Sequence, residues 1–157
     1  MIYLFSSSLG DISYDWDGSQ CHRLKLQPGA QALQQHNDPV AIYLNDYFRG
    51  APTNLPALKH AATPFQHSMR QALLNIPVGE VRTYGELAKT LNTSARGLGQ
   101  ALKANALPIL IPCHRIVAAN GLGGFAGGAT WKQRLLHREG FLINPHIDAE
   151  TAQKQSR

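Results

Sequence analysis

The chain has 157 residues, 43% of them hydrophobic, and a formal net charge of +5, enough length to bury a core as one domain or two small ones. No apolar run approaches the roughly 18 residues a membrane helix needs, and the start Met1-Ile2-Tyr3-Leu4-Phe5 lacks a basic n-region and a signal-length apolar core, so a cytoplasmic protein with no membrane partner is expected. Two cysteines exclude a disulfide scaffold, and seven scattered histidines without CxxC or HExxH spacing give no reason to expect a metal.

Residues 1–27 alternate as strands do, with Ile12, Tyr14 and Trp16 on one face, Asp17-Gly18 as a hairpin turn and Cys21 to Leu26 returning, which predicts a small antiparallel sheet. Cys21-His22 lies on such a strand and reads as structural. Beyond the polar stretch near Gln31 to His36, Asp38-Pro39 reads as N-cap and N1 of a helix with Val40, Tyr43, Leu44 and Tyr47 inward, ending near Gly50. Residues 51–62, with Pro52 and Pro56, read as a linker. Next, Thr63-Pro64-Phe65-Gln66 reads as a capping box opening a helix with Phe65, Met69, Ala72, Leu73 and Ile76 as its stripe, stopped by Pro77-Val78-Gly79. Thr83-Tyr84-Gly85-Glu86 is a second capping box, for a short helix with Leu87, Ala88 and Leu91 inward. A third helix opens at Ser94 and runs to about Ala104 over Leu98, Ala101 and Leu102, and the tight Asn92-Thr93 turn between the two gives helix-turn-helix proportions.

Gly97 and Gly99 each cost about 1 kcal/mol relative to Ala in a helix interior. With Ala95 they leave a smooth face beside Arg96, suited either to a DNA groove or to packing against a neighbouring helix. From Phe65 to Gly140 there are nine Lys and Arg against three Glu and no Asp, a balance of +6. That suits a polyanionic partner as well as a solvated basic surface.

Pro112-Cys113-His114-Arg115 follows the apolar run Ile109-Leu110-Ile111. A thiol beside an imidazole is the minimum for an activated sulfur nucleophile, although free cysteines are also often buried and inert. Neighbouring side chains do not face each other on a strand or a helix, so the expected geometry is strand, sharp turn at Pro112, then a short helix with Cys113 at its positive end and its pKa lowered. The glycine-rich stretch Asn120 to Gly128 can line a tight cavity and is not a phosphate loop. Thr130-Trp131-Lys132-Gln133 reads as a capping box for a last helix with Trp131, Leu135 and Leu136 inward and Gly140 as C-cap. Glu139 then sits where the helix dipole disfavours an acid, which suggests service to a partner such as His114. Residues 144–157 read as a polar tail.

Taken together, Thr83-Tyr84-Gly85-Glu86-Leu87, Ala95-Arg96, Asn105, Pro108 to Val117 around Pro112-Cys113-His114-Arg115-Ile116, and Gly124-Phe125-Ala126-Gly127-Gly128 resemble the O6-alkylguanine-DNA alkyltransferase family over about residues 63–140. The resemblance implies an α+β protein with a small ribonuclease-H-like antiparallel sheet domain (1–62 with its linker) and a winged-helix, helix-turn-helix domain (63–143). It implies a monomer without cofactor that flips O6-alkylguanine, and also O4-alkylthymine, out of double-stranded DNA. Cys113 would be the alkyl acceptor, His114 its base through a water, Glu139 the carboxylate orienting His114, and Tyr84 the group that protonates or hydrogen-bonds the leaving guanine. Asn105 would brace the recognition helix against the active-site turn, and Arg96 would fill the gap left by the flipped nucleotide. Ala95, Gly97, Gly99, Gln100, Thr83 and Arg115 would join Arg96 at the DNA. Phe125, Ala126, Gly127, Gly128 and Pro108 would shape the substrate pocket; Phe125-Ala126 replaces the hydroxyl-bearing pair that many members carry there. Competing classes are a lesion-binding module without repair, a thiol hydrolase and a helix-turn-helix regulator.

Overall fold

The computed structural model describes residues 1–26, 37–51, 54–125 and 127–141. The chain divides into two compact units, Met1–His60 with Ala106–Leu110, and Ala61–Asn105 with the chain from Ile111 onward.

In the first unit, β1 (Ile2–Ser7), β2 (Gly10–Trp16) and β3 (Cys21–Lys25) form an antiparallel sheet in that order. Phe5 pairs with Ile12 and Tyr14 with Leu24, so the alternation read from the sequence sets which side chains are buried. The register shifts between Asp15 and Trp16, and Trp16 is accordingly only half-buried rather than continuing the Ile12 and Tyr14 face. Helix α1 (Pro39–Arg49) starts as expected: the Asp38 side chain accepts from the Ala41 amide, Pro39 occupies N1, and Gly50 closes the helix at φ 73°. Asp38 also accepts the Tyr14 hydroxyl at 2.6 Å, so one carboxylate caps the helix and ties it to the sheet. The segment expected as a linker is partly structured. Leu58 bridges Cys21 in parallel, with the Cys21 amide donating to Ala57 and the Lys59 amide donating to Cys21. Cys21 is fully buried, which pushes its thiol up to about 12, in keeping with a structural role. Residues 106–110 join this unit through the Leu24 amide, which donates to the Ala106 carbonyl at 2.9 Å. The polar stretch near Gln31 to His36, Pro52 and the tail from Asn144 lie outside the described residues.

The second unit contains α2 (Pro64–Leu74), β4 (Arg82–Thr83), α3 (Tyr84–Thr90), α4 (Ala95–Lys103), a 3-10 turn (Cys113–Arg115), β5 (Ile116–Val117) and α5 (Ala129–Arg138). The two-residue strands β4 and β5 run parallel, Arg82 beside Ile116 and Thr83 beside Val117. Thr83 makes the full reciprocal capping box with Glu86, and α3 and α4 meet through Leu91 to Ser94, with Asn92 taking the left-handed turn at φ 53°. The expected box at Thr63 is half formed: its hydroxyl accepts the Gln66 amide, but the Gln66 side chain donates instead to the Ala101 carbonyl of α4 at 3.5 Å. The box expected at Thr130 does not form. Gly128, at φ 91°, holds the N-cap position without a side-chain cap, so α5 starts one residue before Thr130. At its other end Gly140 donates to His137 and Phe141 to Leu136, with Gly140 at φ 106°, the double bond of a Schellman motif. Phe141 and Leu136 then pack with Val81 and Val117 in one buried cluster. No helix among the described residues is long and apolar enough to cross a membrane.

Candidate active site

The chain leading to Cys113 is a turn, not the strand expected from its apolar composition. Ile109 takes φ 72°, a left-handed conformation that costs a β-branched residue on the order of 1–3 kcal/mol and persists only where its surroundings impose it. At Pro112 (φ −78°, ψ 64°) the backbone makes an inverse γ-turn, closed by the Cys113 amide donating to the Ile111 carbonyl at 2.7 Å. That carbonyl also accepts the Asn105 side-chain amide at 3.1 Å. Asn105 follows α4 directly, so it links the end of that helix to the turn carrying Cys113. Its amide bonds the Cys113 sulfur as well.

Cys113 is only 7% exposed and sits on a three-residue 3-10 turn. So short a turn supplies little helix dipole, and burial pushes the thiol pKa up, against the opposing pull of Asn105 and the Lys132 charge. The lowered pKa expected from the sequence is therefore corrected: the resting thiol is protonated.

Behind it lies a buried ionic network. Glu139 Oε2 and His114 Nε2 are 2.6 Å apart, while Arg115 donates from Nε and Nη2 to the two Glu139 oxygens at 2.7 and 3.0 Å and from Nη1 to the Ile76 carbonyl at 2.7 Å. Burial lowers the His114 pKa despite the carboxylate, so its ring is neutral. Nε2 then carries the proton and donates to Glu139, which leaves Nδ1, buried and with no protein partner, as an acceptor. Burial would raise the Glu139 carboxyl, but the bonds from His114 and Arg115 outweigh it and hold it down at about 2. Arg115, expected at the DNA, is corrected by this geometry: it is buried, and its fork is occupied in keeping Glu139 ionised.

In front of Cys113 opens a cavity of about 510 Å³, lined by Tyr84, Ala95, Gly99, Leu102, Lys103, Cys113, Gly124 and Phe125. The half-buried Tyr84 donates its hydroxyl to the Gly124 carbonyl at 3.3 Å, and burial raises its pKa, so the phenol keeps its proton. The Phe125 ring meets His114 edge-on, centroids 6.3 Å apart. Of the other residues expected to shape the pocket, Gly127 and Gly128 lead into α5 and do not line it, Pro108 belongs to the first unit, and Ala126 lies outside the described residues. Thr83 is engaged in its capping box, while Arg96 and Gln100 are exposed on α4. The two helix glycines have separate reasons. A Cβ on Gly97 would lie 3.0 Å from Thr93 Oγ1 and 3.2 Å from Ser94 Oγ, crowding the helix's own cap; a Cβ on Gly99 would meet nothing within 4 Å. Neither packs against a neighbouring helix.

Sequence reasoning missed Lys132. It is fully buried, its Nζ donates to the carbonyls of Ile116 at 2.5 Å and Gly124 at 3.1 Å, and it sits 5.9 Å from the centre of the Tyr84 ring. Burial brings its pKa down to about 8, and its remaining charge favours the Cys113 thiolate. The signal was present. Lys132, Leu135, Leu136 and Glu139 share the i, i+3, i+4, i+7 stripe, so a charge bounds the apolar face at each end.

Gly123 was missed as well. At φ 77°, its missing Cβ would lie 2.7 Å from Tyr84 Cε2 and 2.9 Å from the hydroxyl. Gly123→Ala is expected to displace the ring and slow reaction of the Cys113 thiol within the cavity by about tenfold or more, since a misplacement near 1 Å can cost that much. Gly121→Ala, where a Cβ meets nothing within 4 Å, is the control. Equal rates in both variants would show that Tyr84 tolerates displacement.

A model of the 6-O-methylguanine DNA methyltransferase DNA-binding domain matches residues 64–141. A methylated-DNA–protein-cysteine methyltransferase of Saccharolobus solfataricus is 43% identical over 101 residues, covering 64% of this chain and 67% of that protein. The chain belongs to this methyltransferase family. Its relative from Methanopyrus kandleri is 42% identical over 101 residues, 63% of this chain and 77% of the relative. Among solved structures, Mycobacterium tuberculosis OGT in complex with DNA superposes with a TM-score of 0.75 at 31% identity, covering 88% of this chain and 92% of that one. The O6-methylguanine-DNA methyltransferase of Pyrococcus kodakaraensis gives 0.75 at 26% identity, covering 90% and 100%. As a member, the chain is a DNA-repair methyltransferase with the mixed α+β fold expected from its sequence.

Proposed function

We propose that this methyltransferase flips an O6-alkylated guanine, and also an O4-alkylated thymine, out of duplex DNA into the Cys113 cavity and takes the alkyl group irreversibly onto the sulfur. The observation that carries this reading is the placement of Cys113 in a cavity of about 510 Å³ with Tyr84 on its wall and the His114–Glu139 pair behind it. The thiol proton passes through a water to His114 Nδ1, the acceptor left by the bond from Nε2 to Glu139. Sγ attacks the alkyl carbon, the carbon–O6 bond breaks, and its electron pair stays on the base. Tyr84 turns its hydroxyl from the Gly124 carbonyl to the leaving oxygen and neutralises the developing charge. Burial keeps the thiol protonated at rest and so unreactive toward other electrophiles; Lys132 and Asn105 help it ionise once the substrate excludes water. A thioether does not hydrolyse, so each chain acts once. Extrusion is needed because the target atom is otherwise held inside the stack. A DNA substrate and a thiol that must stay reduced fit a reducing compartment such as the cytoplasm.

The test is intact mass and peptide mapping after incubation with excess duplex carrying O6-methylguanine. One methyl group per chain, on Cys113, is the expected result. Multiple turnovers, or modification of Cys21, would overturn it.

A further inference from the structure

Lys103 stands where nothing in the alkyl-transfer steps requires a charge. On α4 the residues Ala95, Gly99, Leu102 and Lys103 follow i, i+4, i+7, i+8, one stripe of the helix, and all four line the cavity. Two are small and one is apolar, so the wall is smooth until its end, where an exposed lysine stands. Lys103 is the one charged side chain among the described residues lining the cavity, and no carboxylate lines it. Nor does Lys103 have an ion-pair partner among the described residues, unlike Arg49, Arg82 and Arg115. Lys132 adds a second positive charge from beneath, acting on Cys113. The cavity therefore combines an apolar wall, room beyond a methyl group and an uncompensated positive potential.

We propose that Lys103 is a specificity-determining residue that favours O6 substituents bearing a carboxylate, such as carboxymethyl, over uncharged substituents of the same size; this rests on the alkyl-transfer reading above. An anionic substituent entering an apolar cavity loses hydration and approaches a sulfur that must itself become negative. Both effects oppose reaction unless a cation lies beside the carboxylate. Lys103 supplies that cation from a flexible stem able to follow substituents of different length. The covalent step is unchanged: Sγ bonds to the substituent's methylene carbon, the bond from that carbon to O6 breaks with its electron pair left on the base, the thiol proton goes to His114, and the carboxylate stays on the transferred group. Near the end of α4 a lysine also complements the helix dipole, and it could serve a DNA phosphate instead. Either role would act equally on all lesions.

The test compares single-turnover rates on duplexes carrying O6-carboxymethylguanine and its neutral isostere O6-carbamoylmethylguanine, with O6-methylguanine as reference, for the wild-type protein, Lys103→Met and Lys103→Arg. The ratio of carboxymethyl to carbamoylmethyl rates cancels any shared effect on DNA binding. In Lys103→Met this ratio is expected to fall about tenfold, as loss of one charge-assisted contact implies. Lys103→Arg should keep most of it, and rising salt should lower it in the wild type. A ratio in Lys103→Met within about twofold of wild type would overturn the proposal, whether or not both rates drop, and a common drop would assign Lys103 to the DNA backbone. Failure of the wild type to take an alkyl group from any of the three duplexes would instead overturn the alkyl-transfer reading itself.

Discussion

Arg96→Ala slows alkyl transfer from a lesion in duplex DNA by about a hundredfold, while transfer from free O6-benzylguanine stays within a few-fold of wild type; this is the expected result if extrusion of the nucleotide costs a few kcal/mol that Arg96 helps to recover. In this reading that cost comes back from contacts made only in the flipped state. Arg96 is the second residue of α4, exposed, and just beyond the Ser94 cap whose hydroxyl accepts the Gly97 amide at 3.0 Å. Its neighbours Ala95 and Gly97 add no bulk, and Gly99 one turn on meets nothing within 4 Å, so the helix can approach a duplex closely enough to insert the side chain. A planar guanidinium can stack between bases and hydrogen-bond to the orphaned partner. Arg96→Lys should accordingly rescue only in part. Slowing of both reactions by the same factor would place Arg96 in the pocket or the fold.

Glu139→Gln should produce the second large effect, and on two observables at once. Glu139 receives His114 on one side and the Arg115 fork on the other, 8% exposed. Removing its charge leaves a buried guanidinium without its anion, a loss that typically costs about 3–5 kcal/mol. It also leaves His114 without the carboxylate that orients it and stabilises its protonated form, so transfer to Cys113 slows even where the variant is fully folded, while affinity for undamaged DNA stays close to wild type. The pH dependence separates the two. Relative to its ordinary value of 4.5, the Glu139 carboxyl is lowered to about 2 in the fold. Its stabilisation is thus complete above the unfolded value and is lost as pH falls from there toward about 2, on the order of 3 kcal/mol. His114 acts in the same direction from a higher pH: its folded pKa is depressed below 6.5, so protonation of the unfolded chain already favours unfolding as pH drops below that value. Acid denaturation of the wild type should therefore begin below about 6.5 and steepen below about 4.5, and Glu139→Gln should lose the second phase. Coincident acid-denaturation curves, or equal single-turnover rates in wild type and variant, would remove Glu139 from this role.

Local chemistry was legible wherever a few neighbouring residues decide the outcome. Asp38-Pro39, the Thr83–Glu86 box, the Ser94 start of α4 and the Gly140 end of α5 all specify their own backbone geometry through side-chain caps or a left-handed glycine, and the structure bears them out. Sheet alternation was legible for the same reason, up to the register shift at Trp16. The tertiary structure decided what local propensity cannot. Ile109-Leu110-Ile111 has the composition of a strand, yet the inverse γ-turn at Pro112 and the Asn105 clasp hold the chain in a turn, because an apolar run is satisfied by any burial and these bonds select one. Thr130 could cap a helix, but Gly128 starts α5 earlier and brings Lys132 to the carbonyls of Ile116 and Gly124. Arg115 reads as a basic DNA contact until Glu139, 24 positions away in the chain, claims its guanidinium. The protonation of Cys113 follows the same logic. Burial depends on everything packed around the thiol, and it outweighs the short turn that the sequence places beneath it. The sequence by itself determined the candidate residues of the site and the caps that start their helices, since these are written in contiguous motifs; which charges lie buried, what each pairs with and how far the thiol is from ionising were decided only when distant segments met, because desolvation and ion pairing are properties of the packed chain.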